Sequence, residues 1–188
     1  MIYKQLSRHL LVFSLTLGLG TFISSLSFAI QPTLVEVKPE SDGTYTYVYK
    51  IKIDNTVLVK GGRDAPNPDF FTIFNFAGMV PGSEKQPTGW TFSTSSNGVT
   101  PIRGGRTVVS PVDVDGVPNL TWSRAGAEVA GATEMNGFSI RTTIKETMIG
   151  EYGAQVTRKE AGTLHPQTAT ESKESRIGSV TTPKLPKR

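Results

Sequence analysis

The chain has no cysteine. That absence excludes disulfides, thiol catalysis, Cys-ligated metal and a lipid-modified N-terminal cysteine. Histidine is nearly as scarce, with only His9 and His165. A zinc site needs three or four nitrogen, sulfur or oxygen ligands, and these two residues cannot build one. A Ser-His-Asp triad would have to take its base from His165, and no Gly-x-Ser-x-Gly segment is there to receive it. Acidic residues are plentiful enough for a glycosidase-type carboxylate pair, but the setting of the sequence singles out no pair. The expectation is a protein that is not an enzyme.

A one-signed charge excess is also missing from the body of the chain. The protein carries 20 Lys and Arg against 16 Asp and Glu. Lys4 and Arg8 lie in the first segment, and five basic residues against two acidic ones lie from Glu171 to Arg188. Residues between Ile30 and Thr170 are left close to neutral, which gives no basic face for nucleic acid. Amphipathic helices are lacking too. "RAGAEVAGATEM" contains helix formers, but Gly126 and Gly131 interrupt it at ~1 kcal/mol each relative to Ala. We read it as a loop with at most one helical turn.

The first segment has its own character. "MIYKQLSRH" is basic, "LLVFSLTLGLGTFI" is apolar, and "SSLSFA" ends in the small residues Ser27 and Ala29. This pattern predicts a signal peptide over residues 1–29 with cleavage after Ala29. The alternative, an N-terminal membrane anchor, wants a longer apolar run of roughly 20 residues. The mature chain would then carry no membrane span. A chain of roughly 150 residues hides about two-thirds of its unfolded surface, enough for one real core.

Strand signals run through the rest. "TYTYVYKIKID" alternates, with Tyr45, Tyr47, Tyr49, Ile51 and Ile53 on one face and Thr46, Lys50 and Lys52 on the other. That period of two marks a half-buried strand. "TLVEVK" and "TVLVK" flank it. "FFTIFNF" is apolar on both faces and predicts a central strand. "WTFST", "NLTWS", "GFSIRTTI" and "YGAQVTRK" follow, together with a strand after "IRGGR" and a tight turn at Asn97-Gly98. "GGRDAPNPDF" and "AGMVPGSEKQPTG" read as loops. The two Gly-Gly-Arg segments read as turns beside strands and not as anion cradles, since neither leads into a helix. Beyond about Leu164 large apolar residues become rare, which predicts a disordered basic tail over residues 165–188.

The aromatics divide two readings. Trp90, Trp122 and Phe138 each begin a strand just after Gly, Pro or Asn. As core plugs, each would bury about 150–250 Å², worth several kcal/mol at ~25 cal/mol per Å². If exposed, Trp90 and Trp122 would instead form a ligand-binding platform for stacking sugars. The order "PTGW", "LTW", spacer, "GFSI" resembles a group of uncharacterised exported bacterial β-sandwich proteins, many of which end in a Pro-Glu-Pro sorting tail (PEP-CTERM). The matching residues are Gly89, Trp90, Trp122, Gly137, Phe138 and Ser139, and the likeness spans roughly Tyr45 to Val156. The chain departs from that group in having no Pro-Glu-Pro box with its apolar span and basic stop. The resemblance implies export and a sandwich, and no activity.

One segment invites a metal. In "PVDVDGVPN", Asp113, Asp115, Gly116 and Asn119 fall on inner positions of a calcium loop. Pro111 and Trp122 stand where its first and last carboxylates belong. A polar edge strand ending in a turn explains the segment without calcium; a calcium site would need outside donors such as Asp64 and Asp69. "NLT" has the form of a glycosylation sequon, which carries no meaning in a bacterium.

The sequence therefore predicts an all-β, antiparallel immunoglobulin-like or jelly-roll-type β-sandwich over residues 30–164. It would be secreted, or periplasmic or extracellular, with a non-catalytic structural or interaction role at the bacterial cell envelope or beyond it. The alternative is a carbohydrate- or surface-binding module, calcium-assisted or without cofactor. Its partner would be a cell-surface polysaccharide or another envelope protein.

Overall fold

The computed structural model describes residues 30–61, 68–97, 111–159 and 171–186. The segment expected as a signal peptide, Asp64, Gly98 of the expected Asn97-Gly98 turn, the strand expected after "IRGGR" and His165 all lie outside the described residues. Within them every regular element is a strand, and no helix is long and apolar enough to cross a membrane.

Ten strands follow one another. β1 (Ile30–Pro39) and β2 (Tyr45–Ile53) form a hairpin, and β3 (Val57–Val59) and β4 (Phe70–Ile73) come next. After them are β5 (Trp90–Ser95), β6 (Asn119–Arg124), β7 (Val129–Ala130), β8 (Thr133–Thr142), β9 (Thr147–Lys159) and β10 (Glu171–Pro183). β1, β2 and β8 make a three-stranded antiparallel sheet, and the other seven strands make a second one. The two pack face to face as a sandwich, because each has one apolar face that water cannot satisfy.

Register explains how seven strands form a compact second sheet. β3 and β4 both pair with β9, through Leu58↔Thr157 and Phe70↔Gln155, so they lie end to end beside it. β6 pairs with β4 and β7 with β3 in the same manner. Each couple is one long strand broken by an excursion. The first break closes where the Asp69 N–H donates to the Lys60 carbonyl at 2.8 Å. The second spans Ala125 to Glu128.

The alternation of β2 is realised residue by residue. Tyr47, Tyr49, Ile51 and Ile53 are fully buried, while Lys52 points to solvent. β4 is buried on both faces, as its unbroken apolar run requires. The hydroxyl of Tyr49 crosses to the second sheet and donates to the Thr181 carbonyl at 2.9 Å. The Tyr47 hydroxyl donates to the carbonyls of Lys145 and Glu146, and burial pushes its pKa up to about 12.

Two expectations are corrected here. The segment expected as a disordered tail contains β10, thirteen residues paired with β9 from Glu171↔Lys159 to Pro183↔Thr147. Its own apolar content is low, but β9 supplies a partner along its whole length, and Val180 and Thr182 are buried against the core. "RAGAEVAGATEM" forms no helical turn. Val129 and Ala130 pair with β3, and β8 starts at Thr133. Gly126 is required by the neighbouring guanidinium: a Cβ there would lie 3.1 Å from Arg124 Nη2 and 2.9 Å from the Gly89 Cα.

Candidate functional site

Trp90 and Trp122 are 4% and 0% exposed, so neither offers a stacking platform. The reason lies in the rings around them. Phe71 stacks on Trp122 with centroids 5.1 Å apart, and the Phe138 ring from the opposite sheet meets Phe71 edge-on at 5.2 Å. Phe138 also meets Trp90 edge-on at 5.2 Å, and Phe92 leans on Trp122 at 5.1 Å. Such pairs contribute about 0.5–1.5 kcal/mol each beyond the area they bury. Trp122 and Phe138 therefore hold the two sheets together.

The calcium candidates form a clasp of protein groups. Asn119 is fully buried. Its Oδ1 accepts the Asn75 N–H at 2.8 Å, and its Nδ2 donates to Asp113 Oδ1 at 2.7 Å. Asn75 in turn accepts from the Val114 N–H at 2.8 Å and donates to the Val112 carbonyl at 3.0 Å. Asn75 takes a positive φ of 52°, a conformation that asparagine tolerates well. Asp115 is exposed at the turn. No three His, Asp or Glu side chains gather for a metal among the described residues. Asp69, the proposed outside donor, sits beside Arg124, five residues along β6 from Asn119 and so roughly 16 Å away. It cannot complete that loop.

Sequence reasoning missed what Asp69 does there. Its carboxylate is fully buried. Oδ2 accepts the Lys60 N–H at 2.7 Å and the Thr157 hydroxyl at 2.9 Å, and Oδ1 accepts from Lys173 Nζ at 2.6 Å. Burial raises the Asp69 pKa, and the Lys173 hydrogen bond opposes that rise. The only sequence signal was an acid immediately before a run buried on both faces.

A concavity lies elsewhere, on the outer face of the three-stranded sheet. It is a groove of about 550 Å³. Lys38, Thr46, Val48, Ser139 and Arg141 form its floor, and the loop from Val80 to Lys85 forms one wall. That loop is zipped onto the edge of β8: the Lys85 N–H donates to Ser139 O at 2.8 Å and the Ser139 N–H returns to Lys85 O at 3.0 Å. Ser83 Oγ donates to Val80 O at 2.6 Å and accepts the Arg141 N–H at 3.0 Å. At the far end Arg141 binds Thr44 and Asp42, and the Thr46 hydroxyl donates to Glu40. The Thr44 hydroxyl, with Arg141 behind it, holds the Asp42 carboxyl down at about 2. The groove is thus preformed, polar and of mixed charge, and among the described residues no aromatic side chain lines it.

No family model, curated protein or solved structure matches the chain.

Proposed function

We propose that this protein is an exported bacterial β-sandwich with a non-catalytic interaction role at the cell envelope or outside the cell, and that the groove on its three-stranded sheet receives the partner. The observation that carries the reading is the groove itself, about 550 Å³ of hydroxyl and charged groups on a rigid sheet. A leader-like segment over residues 1–29 supports export. A surface polysaccharide is the partner of the second reading. With Trp90 and Trp122 buried, it would be held by hydrogen bonds from Thr46, Ser139 and Lys85 and not by ring stacking.

The test has two arms. N-terminal sequencing of the exported protein should begin at Ile30, and a cytoplasmic protein that keeps residues 1–29 would remove the export reading. For the groove, calorimetry against purified envelope polysaccharide compares the wild type with Val48→Trp, which fills the floor. Binding lost at least tenfold with an unchanged unfolding midpoint is the expected result. Equal heats for both proteins would remove the groove as the site.

A further inference from the structure

Among the described residues Asp69 is the one acidic side chain with no exposure. Its backbone is fixed on both sides, by the N–H bond to Lys60 and by its carbonyl accepting the Arg124 N–H at 2.8 Å. Lys173, on the last strand, reaches across β9 to place Nζ 2.6 Å from Oδ1. The same Nζ lies 2.9 Å from the Thr157 hydroxyl, which itself donates to Oδ2 at 2.9 Å. Amine, hydroxyl and carboxyl therefore close a ring of hydrogen bonds around one carbonyl carbon. The Lys60 N–H at 2.7 Å holds Oδ2 and fixes the carboxyl plane.

We propose that Lys173 and Asp69 condense to an intramolecular amide, joining Nζ to the Asp69 Cγ and tying β10 to the start of β4. The step balances without any co-reactant. One proton passes from the ammonium to the carboxylate and leaves a neutral amine facing a neutral acid. The Nζ lone pair attacks Cγ. A second Nζ proton travels through the Thr157 hydroxyl to Oδ2. The Cγ–Oδ2 bond breaks, and Oδ2 departs as water with both protons. Oδ1 remains as the amide carbonyl and Nζ keeps one hydrogen.

Burial of Asp69 favours the neutral acid that the attack needs, since a charge is costly out of water, and Lys173 reaches it from a partly exposed position. Preorganisation supplies the rest, because β9, β10 and the turn into β4 hold the reacting groups in contact before any bond forms. The partners are 104 residues apart in sequence. A bond between them would constrain the unfolded chain as a disulfide does, in a protein that has no cysteine to make one.

Intact-mass measurement on the purified chain, with its N-terminus determined, tests this. The wild type should be lighter than its sequence by one water, and digestion should release the Lys173 peptide joined to the Asp69 peptide. Lys173→Arg retains a cation for Asp69 and should fold with the full mass; Asp69→Ala should also show the full mass. Thr157→Val should form the bond at least tenfold more slowly. A wild type of full mass overturns the proposal, and so does a water loss that persists in Lys173→Arg, which would be succinimide chemistry elsewhere. An unchanged rate in Thr157→Val overturns the relay.

Discussion

The two ends of the β4–β6 strand pair are closed by different chemistry. At one end two asparagines bridge neighbouring chain segments, and each amide uses its oxygen and its nitrogen at once. At the other end a buried carboxylate is held by a backbone N–H, a hydroxyl and a lysine. The asparagine end can be satisfied locally because one side chain both donates and accepts. An aspartate only accepts, so its end needs donors and a countercharge from three separate chain segments. The asparagine clasp fixes a loop; the aspartate–lysine one fixes the order of strands.

Breaking the charged end should cost most. Asp69→Ala leaves Lys173 without its carboxylate and the Lys60 and Thr157 donors without an acceptor. Losing one partner of a buried ion pair costs about 3–5 kcal/mol, to be read from the denaturant midpoint at neutral pH. A loss under 1 kcal/mol would mean that the carboxylate is ordinary surface charge and the contrast is empty.

Asn119→Ala should cost less, about 1–3 kcal/mol, from the Asn75 N–H that loses its acceptor. Added calcium should not change the midpoint of the wild type, because Asn119 already spends both ends of its amide on protein. A calcium-dependent rise in the midpoint that Asn119→Ala abolishes would restore the metal reading.

These two ends were unequally legible in the sequence. Asn119 could be singled out because its Asp113 partner is only six residues away. Lys173 is 104 residues from Asp69, and nothing local marks it. β10 was hidden for a similar reason. Its "ESKESRIGSVTTP" has little apolar content, and what makes it a strand is the partner offered by β9. Strand formation reflects such neighbours more than intrinsic preference. β2 and β4 were visible because their own side chains carry the pattern, alternating in one and continuous in the other. The ring core fell between these cases: Trp122 and Phe138 announced themselves as anchors, but only the structure shows them facing each other from opposite sheets.

Acid should separate buried from exposed carboxylates by sign. Asp42 titrates at about 2 in the folded protein against 3.8 ordinarily, so its contribution is present above 3.8 and is lost as pH falls toward 2. Asp42→Asn should remove that acid loss. Before it is joined to Lys173, Asp69 is shifted upward, so the stability linked to the free carboxyl is full below 3.8 and is lost as pH rises through the folded value. In Lys173→Met the carboxylate has no cation to oppose that rise, and the variant should gain stability relative to wild type as pH falls. Denaturant midpoints across an acid series report both slopes. A Lys173→Met variant that loses stability relative to wild type as pH falls, or an Asp42→Asn variant that keeps the wild-type acid loss, would contradict the assignment.

The smallest effect should come from an ion pair on the outer face. Lys50 Nζ lies 3.0 Å from Glu134 Oε2, a contact much like that of Lys173 with Asp69. Both of its partners are well exposed, at 35% and 52%. Water already solvates each charge there, and ordering two long side chains offsets most of the attraction, so exposed pairs contribute about 0–1 kcal/mol. Lys50→Met should therefore shift the midpoint little, and raising salt should shrink even that shift. Asp69→Ala should keep its large cost in the same salt, because screening acts weakly on a group that water does not reach. Distance alone would rank the two pairs as near equals, and desolvation ranks them far apart. Matching losses and matching salt dependence in the two variants would show that burial is not what distinguishes the Asp69 end of the strand pair.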